Sequence, residues 1–274
     1  MTVRTGALRL GLSSLLLFCT TAWSDPATLI ETSHYAPRIA IIIDDLGNLM
    51  KNGDRIVALD APVACSILPH TPYAVRIAKR AHAAGKEVML HLPLQPMEEF
   101  EVVSAGMIQI DTTRSEMRRI LDFDLASLPH VSGVNNHQGS LLTRHPGHMN
   151  WLMSELSSRG DLFFVDSYTT KASVALRMAR EHDVPSTRRD VFLDHTQTTA
   201  AIDVQFRRLK DLARSRGVAV GIGHPHTLTV EYLERALPKL RAEGFELVSV
   251  SEAIALESQP IVQAATFDAR SLGH

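Results

Sequence analysis

Short apolar and β-branched runs recur along the chain, and polar residues follow each one. They are "IAIII" from Ile39, "VACSIL" from Val63, "EVML" from Glu87 and "VSGV" from Val131. "LFFV" from Leu162, "VFL" from Val191, "VAVGI" from Val218 and "FELVSV" from Phe245 complete the set. Between most of them the pattern turns helical. "TPYAVRIAKRAHAAG" offers Thr71 as N-cap, Pro72 at the first helical position and Gly85 as terminator. "TRSEMRRILDFDL" places Thr113 and Glu116 at capping-box spacing. "VQFRRLKDLARSRG" and "VEYLERALPKLRAEG" are amphipathic and stop at Gly217 and Gly244. Strands alternating with helices predict a parallel sheet covered by helices. Eight candidate strands favour an α/β fold closed as an irregular (β/α) barrel, with a doubly wound open sheet as the alternative.

The beginning and end of the chain lie outside this pattern. Arg4 and Arg9 precede "LGLSSLLLFCTTAWS", an apolar stretch ending in small residues around Ala22 and Ser24. It has the form of a signal peptide over residues 1–24, cleaved near Ser24–Asp25, and is short for a membrane span. An uncleaved anchor is the lesser alternative. Bulky Phe18 before Cys19 argues against lipid attachment at that cysteine. Residues 25–37 read as a lead-in, 38–257 as the domain, and 258–274 as a flexible tail.

The expected mature chain therefore lies outside the cytoplasm, in the periplasm if the source is Gram-negative, with no stable membrane insertion. It retains one cysteine, Cys65, which excludes an intramolecular disulfide and reads as a small buried hydrophobe. Of 28 basic residues Arg4 and Arg9 are removed, which against 30 acidic ones leaves about −4. No Lys/Arg-rich block is present, so nothing suggests a nucleic-acid partner.

The chemistry gathers where the apolar runs end. "RIAIIIDDLGN" carries a buried strand into two adjacent carboxylates, Asp44 and Asp45, whose mutual repulsion calls for compensation. Pro69-His70 follows the second run, "HLPLQP" from His91 the third, and "NNHQGS" with His137 the fourth. Asp166-Ser167, Asp194-His195 and "GHPH" with His224 and His226 follow the next three. Six of the 13 histidines stand at these positions. The carboxyl ends of parallel strands form the ligand face of such folds, so these residues should converge on one cleft. Imidazoles and a carboxylate suit zinc or a similar divalent ion. One aspartate would hold the cation and the other accept a proton from water. Arg188 and Arg189 precede the sixth run and are expected at the opposite end of the barrel.

Four motifs in order, "AIIIDDLG", "HLPLQP", "NNHQGS" and "GIGHPH", resemble the divergent branch of the polysaccharide deacetylases, in the NodB-like carbohydrate esterase group. The resemblance covers Arg38 to Ala255. It implies an irregular barrel of seven to eight parallel strands and metal-dependent removal of N- or O-acetyl groups from a glycan. It further implies Asp44 as base, Asp45 and His91 as metal ligands, and His224 as general acid. The family's second motif carries a further histidine where this chain has Gln95; His137 is taken as its substitute, giving Asp45, His91 and His137 as the metal set. Asp166, Asp194 and His226 are assigned to substrate binding, with orientation of a histidine or helix capping as alternatives for the two aspartates. The competing class is a non-catalytic exported protein that keeps the fold to bind a glycan or a protein. Metal-dependent hydrolysis of another ester or amide is a third. Two tryptophans and four tyrosines form no row for stacking sugars, which leaves the glycan open. No G-x-S-x-G, H-E-x-x-H or phosphate-binding glycine loop is present.

Overall fold

The computed structural model describes residues 1–2, 36–98 and 106–258. Nearly all of the expected leader, most of the lead-in and nearly all of the tail lie outside them. In chain order come β1 (Arg38–Leu46), α1 (Met50–Val57), β2 (Ala64–Ile67), α2 (Ala74–Ala83) and β3 (Val88–Leu94). Next are α3 (Arg114–Ala126), β4 (Val131–Gln138), α4 (Pro146–Ser157), β5 (Phe163–Asp166) and α5 (Ala175–Glu181). β6 (Ser186–Arg188), β7 (Val191–Phe192), α6 (Thr199–Arg216) and β8 (Val218–Gly223) follow. The domain ends with α7 (Thr227–Leu240), β9 (Glu246–Leu247) and α8 (Val250–Glu257). No described helix is long and apolar enough to cross a membrane.

All described strand pairs are parallel, in the order β6-β5-β4-β3-β2-β1-β8-β7, with β9 beside the start of β1. The sheet curls into an irregular barrel that stays open between β6 and β7. Those two edge strands follow each other in the chain, and Arg189 and Asp190 span the seam. Arg189 N–H donates to Asp166 O on one side, and Asp190 N–H to Val220 O on the other.

Strand periodicity sorts the barrel into two layers. Ile39, Ile41 and Ile43 of β1 point outward and pack with Leu90, Leu92, Val134, Phe164 and the helices. Ala40 and Ile42 point inward and join Ala64, Met89, Val165, Val220 and Ile222. Val250, Ala253 and Ile254 of α8 belong to this inner cluster. Continuing the inward phase by two residues on each strand gives Asp44, Ser66, His91, Ser167 and His224. A dry apolar layer thus underlies a polar one at the carboxyl ends.

Caps follow the sequence in part. Thr113 and Glu116 form the expected capping box, and Gly217 closes α6 at φ +85°. Thr71 does not cap α2, which starts at Ala74; its hydroxyl donates to Leu68 O instead. Gly47 makes the adjoining turn possible. It sits at φ +119°, and an added Cβ would lie 2.0 Å from Thr71 Oγ1. Gly47→Ala is expected to destabilise the fold by about 1–3 kcal/mol through strain and clash. A denaturant titration showing an unchanged midpoint would contradict this.

Candidate active site

The two adjacent carboxylates share one pocket because the strand breaks its own alternation. Between Ile43 and Leu46 the β1–β2 register shifts, and Asp45 takes φ +56°. In a regular strand neighbouring side chains oppose each other; a bulge with a left-handed residue re-aims one of them. Asp44 follows the inward phase, and Asp45 is turned toward the same cleft. His70, Gln138 and Tyr168 also have positive φ, each at or just beyond the carboxyl end of its strand. Four of the six described non-glycine residues with positive φ thus lie on this face, His130 and Asp183 being the other two, and such strain is common at functional sites.

Three donor atoms converge there. His137 Nδ1 lies 3.0 Å from Asp45 Oδ1, His91 Nε2 lies 3.2 Å from the same oxygen, and the two imidazole nitrogens are 3.2 Å apart. Asp45 Oδ1 is buried and has no hydrogen bond of acceptable geometry despite these short approaches. An orphaned carboxylate oxygen facing two nitrogens fits a shared cation. Ligands held about 2.0–2.2 Å from one ion at angles near 90–110° would stand roughly 3.0–3.4 Å apart. Burial pushes the His91 imidazole down, but Asp44 and Asp45 prevail and raise it to about 9. Burial opposes ionisation of Asp45, yet the two histidines hold its carboxyl far below the ordinary value.

A second group, Asp194, His224 and His226, also brings donor atoms close. Here both carboxylate oxygens of Asp194 already have hydrogen-bond partners. Asp194 Oδ1 lies 3.0 Å from His224 Nδ1, while Oδ2 accepts from His224 N–H at 2.6 Å and Thr229 Oγ1 at 2.7 Å. This is an orienting pair, with His224 Nε2 turned toward Asp45 Oδ2 at 3.8 Å. Burial works against charge on both partners, but the bond between them lowers Asp194 and raises His224.

A cleft of about 350 Å³ opens onto Asp44, Asp45, His91, His137 and His224, with Arg189 and Phe192 on its wall. Hollows of 580 and 970 Å³ elsewhere contain no comparable cluster. Arg189 corrects the expectation that it lies at the far end. Ser186–Arg188 forms a short strand of its own, so Arg189 falls at that strand's carboxyl end. Its Nε donates to Ser167 O at 2.7 Å and Nη2 to Tyr168 O at 2.8 Å, and the guanidinium lies 5.1 Å from the Phe192 ring centre. Burial lowers its pKa, opposed by the Asp44 and Asp166 charges.

Several expected residues stand elsewhere. His70 turns to Asp124, 2.8 Å from its Oδ1, and stacks on Phe123. Asp166 points away because Val165 already faces inward; it accepts from Tyr168 N–H and Ser173 Oγ and shapes the loop after β5. Asp194 reaches the cleft only through His224. His226 contacts Gln197 in a neighbouring depression lined by Leu49 and Asn52. Gln95 is used structurally, its Oε1 accepting from Ile110 N–H. The pairing of Pro93 with His137 across β3 and β4 puts His137 on the inner face, diagonal to His91.

Fold and donor set together define a NodB-like α/β barrel of the carbohydrate deacetylase type. The chain belongs to the divergent polysaccharide deacetylase family, whose profile matches residues 41–254. It is 34% identical over 231 residues to the uncharacterized protein YibQ of Escherichia coli K12, covering 84% of this chain and 70% of that one. The crystal structure of an uncharacterized Agrobacterium tumefaciens C58 protein superposes with a TM-score of 0.76 at 21% identity, covering 81% and 90% of the chains. The catalytic domain of a peptidoglycan N-acetylglucosamine deacetylase from Eubacterium rectale shares the fold at TM-score 0.50 and 15% identity, covering 78% and 89%. A CE4 family pseudoenzyme from Bacillus anthracis does so at TM-score 0.50 and 14% identity, covering 80% and 66%. The fold alone thus accommodates both active and inactive members.

Proposed function

We propose that this protein is an exported, metal-dependent glycan deacetylase in which Asp45, His91 and His137 hold the cation, zinc being the first choice. The observation that carries this is the buried, unbonded Asp45 Oδ1 between two imidazole nitrogens, with Asp44 and His224 beside it. A divalent ion held there supplies charge to the acetyl carbonyl oxygen and acidity to water. Asp44 has one oxygen fixed by Asn135, 2.8 Å away, which leaves the other to accept the proton of the attacking water. His224, kept protonated more readily by Asp194, donates from Nε2 to the leaving amine or sugar oxygen. Arg189 places a fixed positive charge near Asp44 and lines the wall against which the substrate rests.

The alternative, a binding protein that keeps the fold, draws support from Gln95 at the family's second histidine position and from the pseudoenzyme neighbour. His137 supplies a second imidazole nitrogen 3.0 Å from Asp45 Oδ1, which favours catalysis. The deciding measurement is acetate release from a panel of N- and O-acetylated glycans by the mature protein, with metal content determined on the same sample. Release that stops with a chelator and returns with zinc is expected. Glycan binding without acetate from any member of the panel would select the alternative.

A further inference from the structure

The polar layer contains one side chain that touches both halves of the proposed machinery. Asn135, fully buried on the inner face of β4, uses all four of its hydrogen-bonding capacities. Its Oδ1 accepts from Ser66 Oγ at 2.6 Å and faces His91 Nδ1 at 2.9 Å. Its Nδ2 donates to Asp44 Oδ1 at 2.8 Å and to Ser167 Oγ at 3.2 Å. We infer that Asn135 is a positioning residue that locks His91 in the Nδ1–H tautomer while fixing one oxygen of Asp44, so that ligand and base are set by one carboxamide. The inference rests on the proposal that Asp45, His91 and His137 hold a divalent cation.

The chemistry of the partners settles the amide's orientation. A carboxylate that serves as the proposed base only accepts, so the Asn135 atom facing Asp44 must be the N–H₂ group. The opposite atom is then the carbonyl oxygen, which also only accepts, so His91 Nδ1 must carry hydrogen. In the neutral imidazole that a cation requires, the lone pair of His91 is then on Nε2, the nitrogen beside Asp45 Oδ1 and His137 Nδ1. Nδ1 is thereby withheld from the cation and Nε2 offered to it. No other residue type of this size does both tasks. Aspartate would set a second carboxylate against Asp44, and leucine would leave Ser66, His91, Asp44 and Ser167 without these buried partners.

The test uses zinc as the probe. The ¹⁵N spectrum of zinc-loaded wild-type protein should show His91 protonated at Nδ1. Asn135→Ala should weaken zinc binding, read by competition with a chromophoric chelator, by about 10–100-fold, the usual cost of removing a group that orients a metal ligand. The His91 Nδ1–H signal should also lose its protection from solvent exchange. A structural role alone would lower the melting temperature and leave zinc affinity unchanged. If Asn135→Ala does not fold, the wild-type spectrum still decides, because Nε2–H in the loaded protein overturns the inference. Zinc binding that depends on Asp45 but not on Asn135 would sink this inference and leave the cation reading standing. Wild-type protein with no zinc affinity removes both.

Discussion

Asp45→Asn should leave a folded protein that has lost its hold on zinc. The backbone at this position is left-handed, φ +56°, and asparagine is among the few residues that accept that conformation readily. The substitution keeps shape and backbone, and changes an anionic oxygen donor into a neutral one. Asp45 Oδ1 is the atom common to both short contacts, with His91 and with His137, so the loss falls at the centre of the donor set. Zinc affinity is expected to fall by more than the roughly 10–100-fold typical of losing an outer partner. Deacetylation should fall with it and return in part at high zinc. Equilibrium dialysis against zinc, paired with a melting curve, checks the two halves separately. Unchanged stoichiometry at low zinc would remove Asp45 from the ligand set.

Much of this arrangement was legible before the structure because burial writes itself into β-strands. Eight apolar runs located every strand except β6. Ser186-Thr187-Arg188 has no apolar pattern, and it becomes a strand only by pairing with Phe164–Asp166. Missing it misplaced Arg189, which moved from the expected far end to the cleft wall. The fault lay in counting strands, not in the chemistry of arginine.

Asp166 and Asp194 show a second limit. Both follow apolar runs and look equivalent in sequence, yet one faces the helices and the other backs a cleft histidine. Inner and outer phase separates them, and phase depends on register and bulges that short runs do not specify. The same bulge that brings Asp45 beside Asp44 is invisible in "IIIDDLG", which reads as a strand whose neighbours should diverge. The sequence points to His137 as the histidine that follows the fourth apolar run and substitutes for the one missing at Gln95. Its place comes instead from the β3–β4 register, a relation between residues far apart in the chain.

Asp44→Asn should fail in the opposite manner, with metal retained and turnover lost. Asp44 Oδ2 lies 3.7 Å from His91 Nε2, and neither of its oxygens belongs to the close trio. Oδ1 is occupied by the Asn135 amide, and asparagine can keep that bond by presenting its carbonyl oxygen there. What disappears is the carboxylate oxygen that, in the proposed mechanism, accepts a proton from water while His224 holds its own. Loss of a general base costs about 10²–10⁴-fold in rate. Added zinc should not restore it, because the proposed ligands Asp45, His91 and His137 are intact. Turnover and zinc stoichiometry of this variant, each measured with and without added zinc, separate the two adjacent carboxylates. If Asp44→Asn loses zinc while Asp45→Asn keeps it, the two roles are reversed. If both variants deacetylate at the wild-type rate, the pair is not the reaction centre, and the strain that gathers Asp45 beside Asp44 serves another purpose.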